Sequence, residues 1–95
     1  MNLYAIIRRE GWVSPGDLQE AAGRSTEVGD GEMSSDIRWI RSYVVTEPDG
    51  RIGTVCIYQA ADEETIRDHA ARADLPVTEI RRSISTVVMS PDPES

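Results

Sequence analysis

Between Asp36 and Ala70 the chain reads as strand, turn, strand and capped helix with almost no gap, and this run limits the fold more than any other. Residues Asp36–Thr46 form one alternating segment and Arg51–Gln59 another. Glu47-Pro48-Asp49-Gly50 joins them as a turn, because Pro48 fixes φ and Gly50 accepts a positive φ. Asp62 is placed to cap the next helix, with Glu63 and Glu64 at the positive end of its dipole. Ile66, His69, Ala70 and Ala73 share one face of that helix, and Leu75-Pro76 closes it.

The flanking segments complete a symmetrical order. Asn2–Arg9 is short, apolar and ends in charge, as a strand does. Ser14 offers a cap, Pro15 a first helical position and Asp17 a first-turn acid. Leu18, Ala21, Ala22, Ser25 and Val28 then fall on one stripe, which predicts a helix over residues 15–28, weakened by Gly23 and ended by Gly29-Asp30-Gly31. Glu32–Ser35 reads as a polar loop that includes Met33. Glu79–Met89 reads as the last strand. The order βαββαβ is that of the ferredoxin-like α+β fold: a four-stranded antiparallel sheet with both helices on one face. Residues 1–90 make a single domain and 91–95 a disordered tail.

Charge and size restrict what such a domain does. Seventeen acidic against ten basic residues give a formal charge of −7, which repels phosphate backbones and anionic membranes. The expected partners therefore include neither nucleic acid nor membrane. No apolar run approaches the roughly 20 residues that cross a bilayer. One cysteine rules out an internal disulfide framework, and the first ten residues lack the pattern of a secretory signal; both fit a cytoplasmic protein. At 95 residues the core is marginal, and a partner subunit over the bare sheet face would help it.

Strand alternation assigns the faces. Val55 and Ile57 form the plainly apolar side of the third strand and are expected to meet the helices, with Ile40 and Val44 from the second. Trp39, Arg41, Tyr43, Cys56 and Tyr58, with Thr54, then line the opposite, bare face. The first strand is ambiguous, since Tyr4-Ile6 and Leu3-Ala5-Ile7 are both apolar. An aromatic cluster with one guanidinium suits a dimer interface or a small-molecule site. If Arg41 and Cys56 share a cavity there, Arg41 favours the Cys56 thiolate and holds an anionic or carbonyl group of a ligand.

The run Ile37-Arg38-Trp39-Ile40-Arg41-Ser42-Tyr43-Val44, the turn, and Cys56-x-Tyr58-x-Ala60-x-Asp62-Glu63-x-x-x-Arg67-x-His69-Ala70 resemble a bacterial domain-of-unknown-function family typified by a small nickel-binding protein. The resemblance spans about Asn2–Ile80 and is dense from Ile37 to Ala73. It implies a homodimer with a ferredoxin-like sheet that binds nickel or another divalent ion at the dimer surface, without a settled reaction.

The residues themselves add two metal candidates, Cys56 and His69, because borderline-soft divalent ions accept thiolate and imidazole. No CxxC, HxH or HxxxH spacing supports them, and strand parity sets Cys56 on one sheet face and His69 across the other. The competing reading is a packed histidine and an inert strand cysteine. Asp62, Glu63 and Glu64 are explained by capping, and Asp68 with Arg72 by an i,i+4 pair. No catalytic set can be assembled from one histidine. The resemblance implies, as the expected function, non-enzymatic binding of a divalent metal. The alternative is a dimeric α/β-barrel-like binder or enzyme with an aromatic pocket on the open face.

Overall fold

The computed structural model describes residues 1–93; Glu94 and Ser95, the end of the expected disordered tail, lie outside it. The elements are β1 (Asn2–Trp12), α1 (Pro15–Asp30), β2 (Ile37–Thr46), β3 (Ile52–Ala60), α2 (Glu63–Ala73) and β4 (Glu79–Arg82). The four strands form one sheet in the order β2-β3-β1-β4, with every neighbouring pair antiparallel. This is the ferredoxin-like α+β fold expected from the βαββαβ order.

Local chemistry explains the boundaries. The Ser14 side chain accepts a hydrogen bond from the Asp17 backbone N–H, and Asp62 accepts one from Thr65 N–H at 2.8 Å. The α1 stripe continues beyond the end that the periodicity indicates, through Gly29 and Asp30. Asp74 ends α2 in the left-handed region at φ 54°. The hairpin turn closes as read: Gly50, at φ 89°, donates its N–H to the Glu47 carbonyl.

The last strand is shorter than its sequence. The pattern predicts Glu79–Met89, yet pairing stops at Arg82. The cause is its partner: Arg82 already faces Tyr4, and β1 begins at Asn2. Few β1 residues remain to pair with the chain beyond Arg82, and Ser83 turns it away at φ 59°. That segment crosses the open sheet face, where Ile84 to Asp92 run over Leu3, Arg41, Tyr43 and Ile57. The Tyr43 hydroxyl donates to the Asp92 carboxylate there at 2.9 Å.

The core lies between helices and sheet. Tyr4, Ile6, Met33, Ile37, Cys56, Tyr58, Ala60 and Ile66 form it, and Val28, Val77 and Ile80 pack against its border. Met33, inside the polar loop, plugs one end. The stripe that α1 brings to this layer is narrow, with Ala21, Ala22 and Ser25, and α2 adds Ile66 and His69 beside Ala70 and Ala73. Large side chains must therefore come from the sheet to fill the layer.

Candidate functional site

That requirement decides which face of β3 turns inward. Thr54, Cys56 and Tyr58 are buried beneath the helices, whereas Val55 and Ile57 are half-buried on the open side. The expected assignment is thus reversed. Branched Val55 and Ile57 are too small to fill the gap beneath the narrow α1 stripe, and the Tyr58 ring fills it. Its hydroxyl finds the Ser25 hydroxyl on α1 at 3.0 Å, and no buried side-chain nitrogen or oxygen is left unpaired among the described residues. Opposite this file, β1 sends Tyr4, Ile6 and Arg8 inward, facing Tyr58, Cys56 and Thr54. The ambiguity of β1 is resolved in favour of the parity that ends in Arg8.

β2 divides its residues between both faces. A bulge lies between Trp39 and Arg41: Trp39 faces Tyr58 and Arg41 faces Ile57, so Ile40 is the extra residue. Trp39 and Ser42 therefore lie on the same, helix side, and the indole N–H donates to the Ser42 hydroxyl at 2.8 Å. The Trp39 ring lies parallel to the Tyr58 ring. Ile40, expected to meet the helices, instead joins Arg41 and Tyr43 over the open face, while Val44 lies on the helix side as expected. The expected cluster of five is thereby split. Trp39, Cys56 and Tyr58 come together under the helices; Arg41 and Tyr43 do not join them. Arg41 and Cys56 share no cavity among the described residues, since the sheet stands between them.

Between α1 and the sheet is a cavity of about 230 Å³. Tyr58, Cys56 and Thr54 floor it, Ala21 and Ser25 of α1 cover it, and Trp39 and Val44 line it on the β2 side. Tyr43, which a pocket on the open face would include, takes no part. Trp39 and Val44 are 37% and 59% exposed and mark the mouth. Arg8, Trp12, Leu18 and Leu75 also line the cavity.

Arg8 is the residue that the sequence reading missed. It is 2% exposed, and one guanidinium nitrogen donates to the Pro76 carbonyl at 2.8 Å. Among the described residues no carboxylate lies within ion-pair distance of it, although acids outnumber bases along the chain. The sequence carried one signal for it: Tyr4, Ile6 and Arg8 share a period of two, so an inward Tyr4 carries Arg8 inward. Burial pushes the Tyr58 phenol above its ordinary value, against the pull of the Ser25 hydrogen bond.

His69 and Cys56 lie on the same side of the sheet after all, because Cys56 turned inward. Their chemistry does not fit a metal centre within one chain. His69 is 1% exposed, and its Nε2–H donates to the Ser25 carbonyl at 3.0 Å. A carbonyl only accepts, so Nε2 carries the proton and is not free to hold a metal. Burial lowers the His69 pKa, with Arg8 acting in the same direction; the Ser25 carbonyl and Asp68 oppose this. The Cys56 thiol is buried and donates to the Thr54 hydroxyl at 3.4 Å. Among the described residues no three His, Cys, Asp or Glu side chains converge on one point. No described helix is long and apolar enough to cross a membrane.

Comparison with known proteins agrees with this architecture. The chain is similar to the crystal structure of SCO4226 from Streptomyces coelicolor A3(2), with a TM-score of 0.65 at 14% identity over 88% of this chain and 99% of that one. Identity that low speaks for the fold alone. No curated protein matches. The family described as nickel responsive protein SCO4226-like matches residues 4–82, from the first inward tyrosine to the last residue of β4. With a match over all six elements, the chain belongs to the nickel responsive, SCO4226-like family.

Proposed function

We propose that this protein acts by binding rather than by catalysis, as a homodimer that holds a small organic molecule between α1 and the sheet. The cavity floored by Tyr58, Cys56 and Thr54 carries this reading. Its lining is almost wholly apolar and it is partly open at Trp39, which suits an apolar small molecule. Neither candidate nucleophile nor base is paired for catalysis: the Cys56 thiol meets a hydroxyl and the His69 ring a backbone carbonyl. The outer edge of β2 supports the homodimer. It runs ten residues without a strand partner among the described residues and exposes Tyr43, Val44 and Val45. An edge of that length is normally covered, and a second copy of the chain is the occupant we assign to it. Native mass spectrometry of untagged protein tests both parts. A dimer that retains an organic mass is expected; a bare monomer would refute them.

Family membership favours a second reading, in which the protein itself binds nickel. Cys56 and His69 do not suit that task, so the ion would rest on surface carboxylates or on donors shared between two copies. Calorimetry with nickel decides it: absence of heat at millimolar metal removes this reading and leaves the first intact.

A further inference from the structure

We infer that the ligand of the cavity between α1 and the sheet is an uncharged aromatic ring whose buried end carries no hydrogen-bonding group. This deepens the small-molecule reading and rests on it. The surface that the cavity shows to a guest is almost wholly apolar, although Arg8, Ser25, Thr54, Cys56 and Tyr58 all line it. Those polar groups are turned onto partners within the protein. The Tyr58 and Ser25 hydroxyls bond each other at 3.0 Å, the Cys56 thiol donates to the Thr54 hydroxyl, and an Arg8 guanidinium nitrogen donates to the Pro76 carbonyl. A charged or hydrogen-bonding group seated against such a wall loses its water and gains no partner, which is costly. Carboxylates, phosphates and sugars are therefore disfavoured at the inner end, and hydrocarbon is favoured there.

Size and the nature of the walls specify the hydrocarbon. A cavity of about 150 Å³ lined by apolar side chains accepts benzene. This one, at about 230 Å³, has room for one ring with a short arm. Trp12, Trp39 and Tyr58 line it, so both tryptophans of the chain and one of its three tyrosines gather at this one place. Aromatic rings attract one another in offset or edge-to-face geometry beyond the area they bury, and Trp39 and Tyr58 already lie parallel. A saturated ring of the same size buries similar area and lacks that attraction. The cavity opens beside Trp39, where the Ser42 hydroxyl also contributes to the lining. A polar substituent on the ligand belongs there, in reach of water.

Three alcohols that share one arm separate the possibilities: phenethyl alcohol, cyclohexylethanol and para-pyridylethanol, all uncharged at mildly alkaline pH. In titration calorimetry of the full chain, phenethyl alcohol is expected to bind at least about threefold more tightly than cyclohexylethanol, the advantage of ring against ring. It should bind at least about fivefold more tightly than the pyridyl alcohol, whose ring nitrogen would be buried without a donor. Methyl NMR locates the site: resonances of Leu18, Val44 and Leu75 should shift, and those of Val87 and Val88, on the other side of the sheet, should not. Equal or tighter binding of cyclohexylethanol would overturn the aromatic assignment, and of the pyridyl alcohol the apolar inner end. Either result leaves the small-molecule pocket standing. Shifts confined to Val87 and Val88 would overturn the inference by moving the ligand to the open face. Binding of none of the three at millimolar concentration would overturn both the inference and the pocket. Every arm uses the unaltered protein, so no variant has to fold.

Discussion

The Trp39 and Tyr58 rings lie 3° from parallel with their centroids 6.0 Å apart, and this pair joins the edge of the sheet to its core. Tyr58 is buried and Trp39 is 37% exposed, so the pair runs from the hydrogen bond with Ser25 out to solvent. It exists because the bulge after Trp39 changes the parity of β2 and lets Ser42 anchor the indole.

Removal of the outer ring should therefore cost stability and reshape the cavity mouth. Trp39→Ala is expected to destabilise the fold by about 1–2 kcal/mol through lost stacking and burial. Urea unfolding measures this. A smaller loss is expected for Trp39→Phe, which retains a ring but not the bond to Ser42.

Stability should fall as solutions become mildly acidic, and His69 is the cause. Its folded pKa is lowered below the ordinary 6.5, so the unfolded chain takes up the proton first. The contribution of the buried neutral ring is complete above about 6.5 and declines as pH falls from there to the folded value. Asp49 and Asp62 are held below 3.8 and act only at lower pH. Urea midpoints compared at neutral and mildly acid pH should show the decline, and His69→Gln should flatten it.

Two glycines should answer the same substitution with opposite signs. A Cβ at Gly23 would meet nothing within 4 Å, and Gly23→Ala in mid-helix is expected to stabilise by about 0.5–1 kcal/mol. A Cβ at Gly53 would lie 2.7 Å from the Arg8 carbonyl, where the β1 bulge brings backbone close. Gly53→Ala should destabilise by about 1–3 kcal/mol. Denaturant midpoints of the two variants test the pair.

Light scattering at micromolar concentration should report a dimer. Val45→Asp, which sets a charge on the exposed stretch of β2, is expected to shift it toward monomer without loss of far-ultraviolet dichroism. An unchanged dimer would place the interface elsewhere.

Nickel binding, where calorimetry detects it, should be indifferent to Cys56→Ser and His69→Ala, since both side chains are buried and hydrogen-bonded. Alkylation of Cys56 should likewise proceed at the same rate in Arg41→Ala, because the sheet separates the two residues.

The sequence by itself determined the order of elements, the two caps, the hairpin turn and the inward faces of both helices. These depend on short-range chemistry: Ser14 and Asp62 bond within their own first turns, Pro48 and Gly50 set their own φ, and helical spacing gathers Ile66, His69, Ala70 and Ala73 on one side. Tertiary structure alone decided the sheet faces. On β3 both alternating files are acceptable as core, and the choice fell to Tyr58 because the narrow α1 stripe leaves a space that only a large side chain fills. On β2 one extra residue at Ile40 placed Trp39 with Tyr58 and left Arg41 and Tyr43 outside. The length of β4 was also decided remotely, by where β1 begins. The Arg8 cavity is a consequence of these choices. A charge at the end of an apolar strand reads as a solvated boundary until the partner strand and the covering helix are in place.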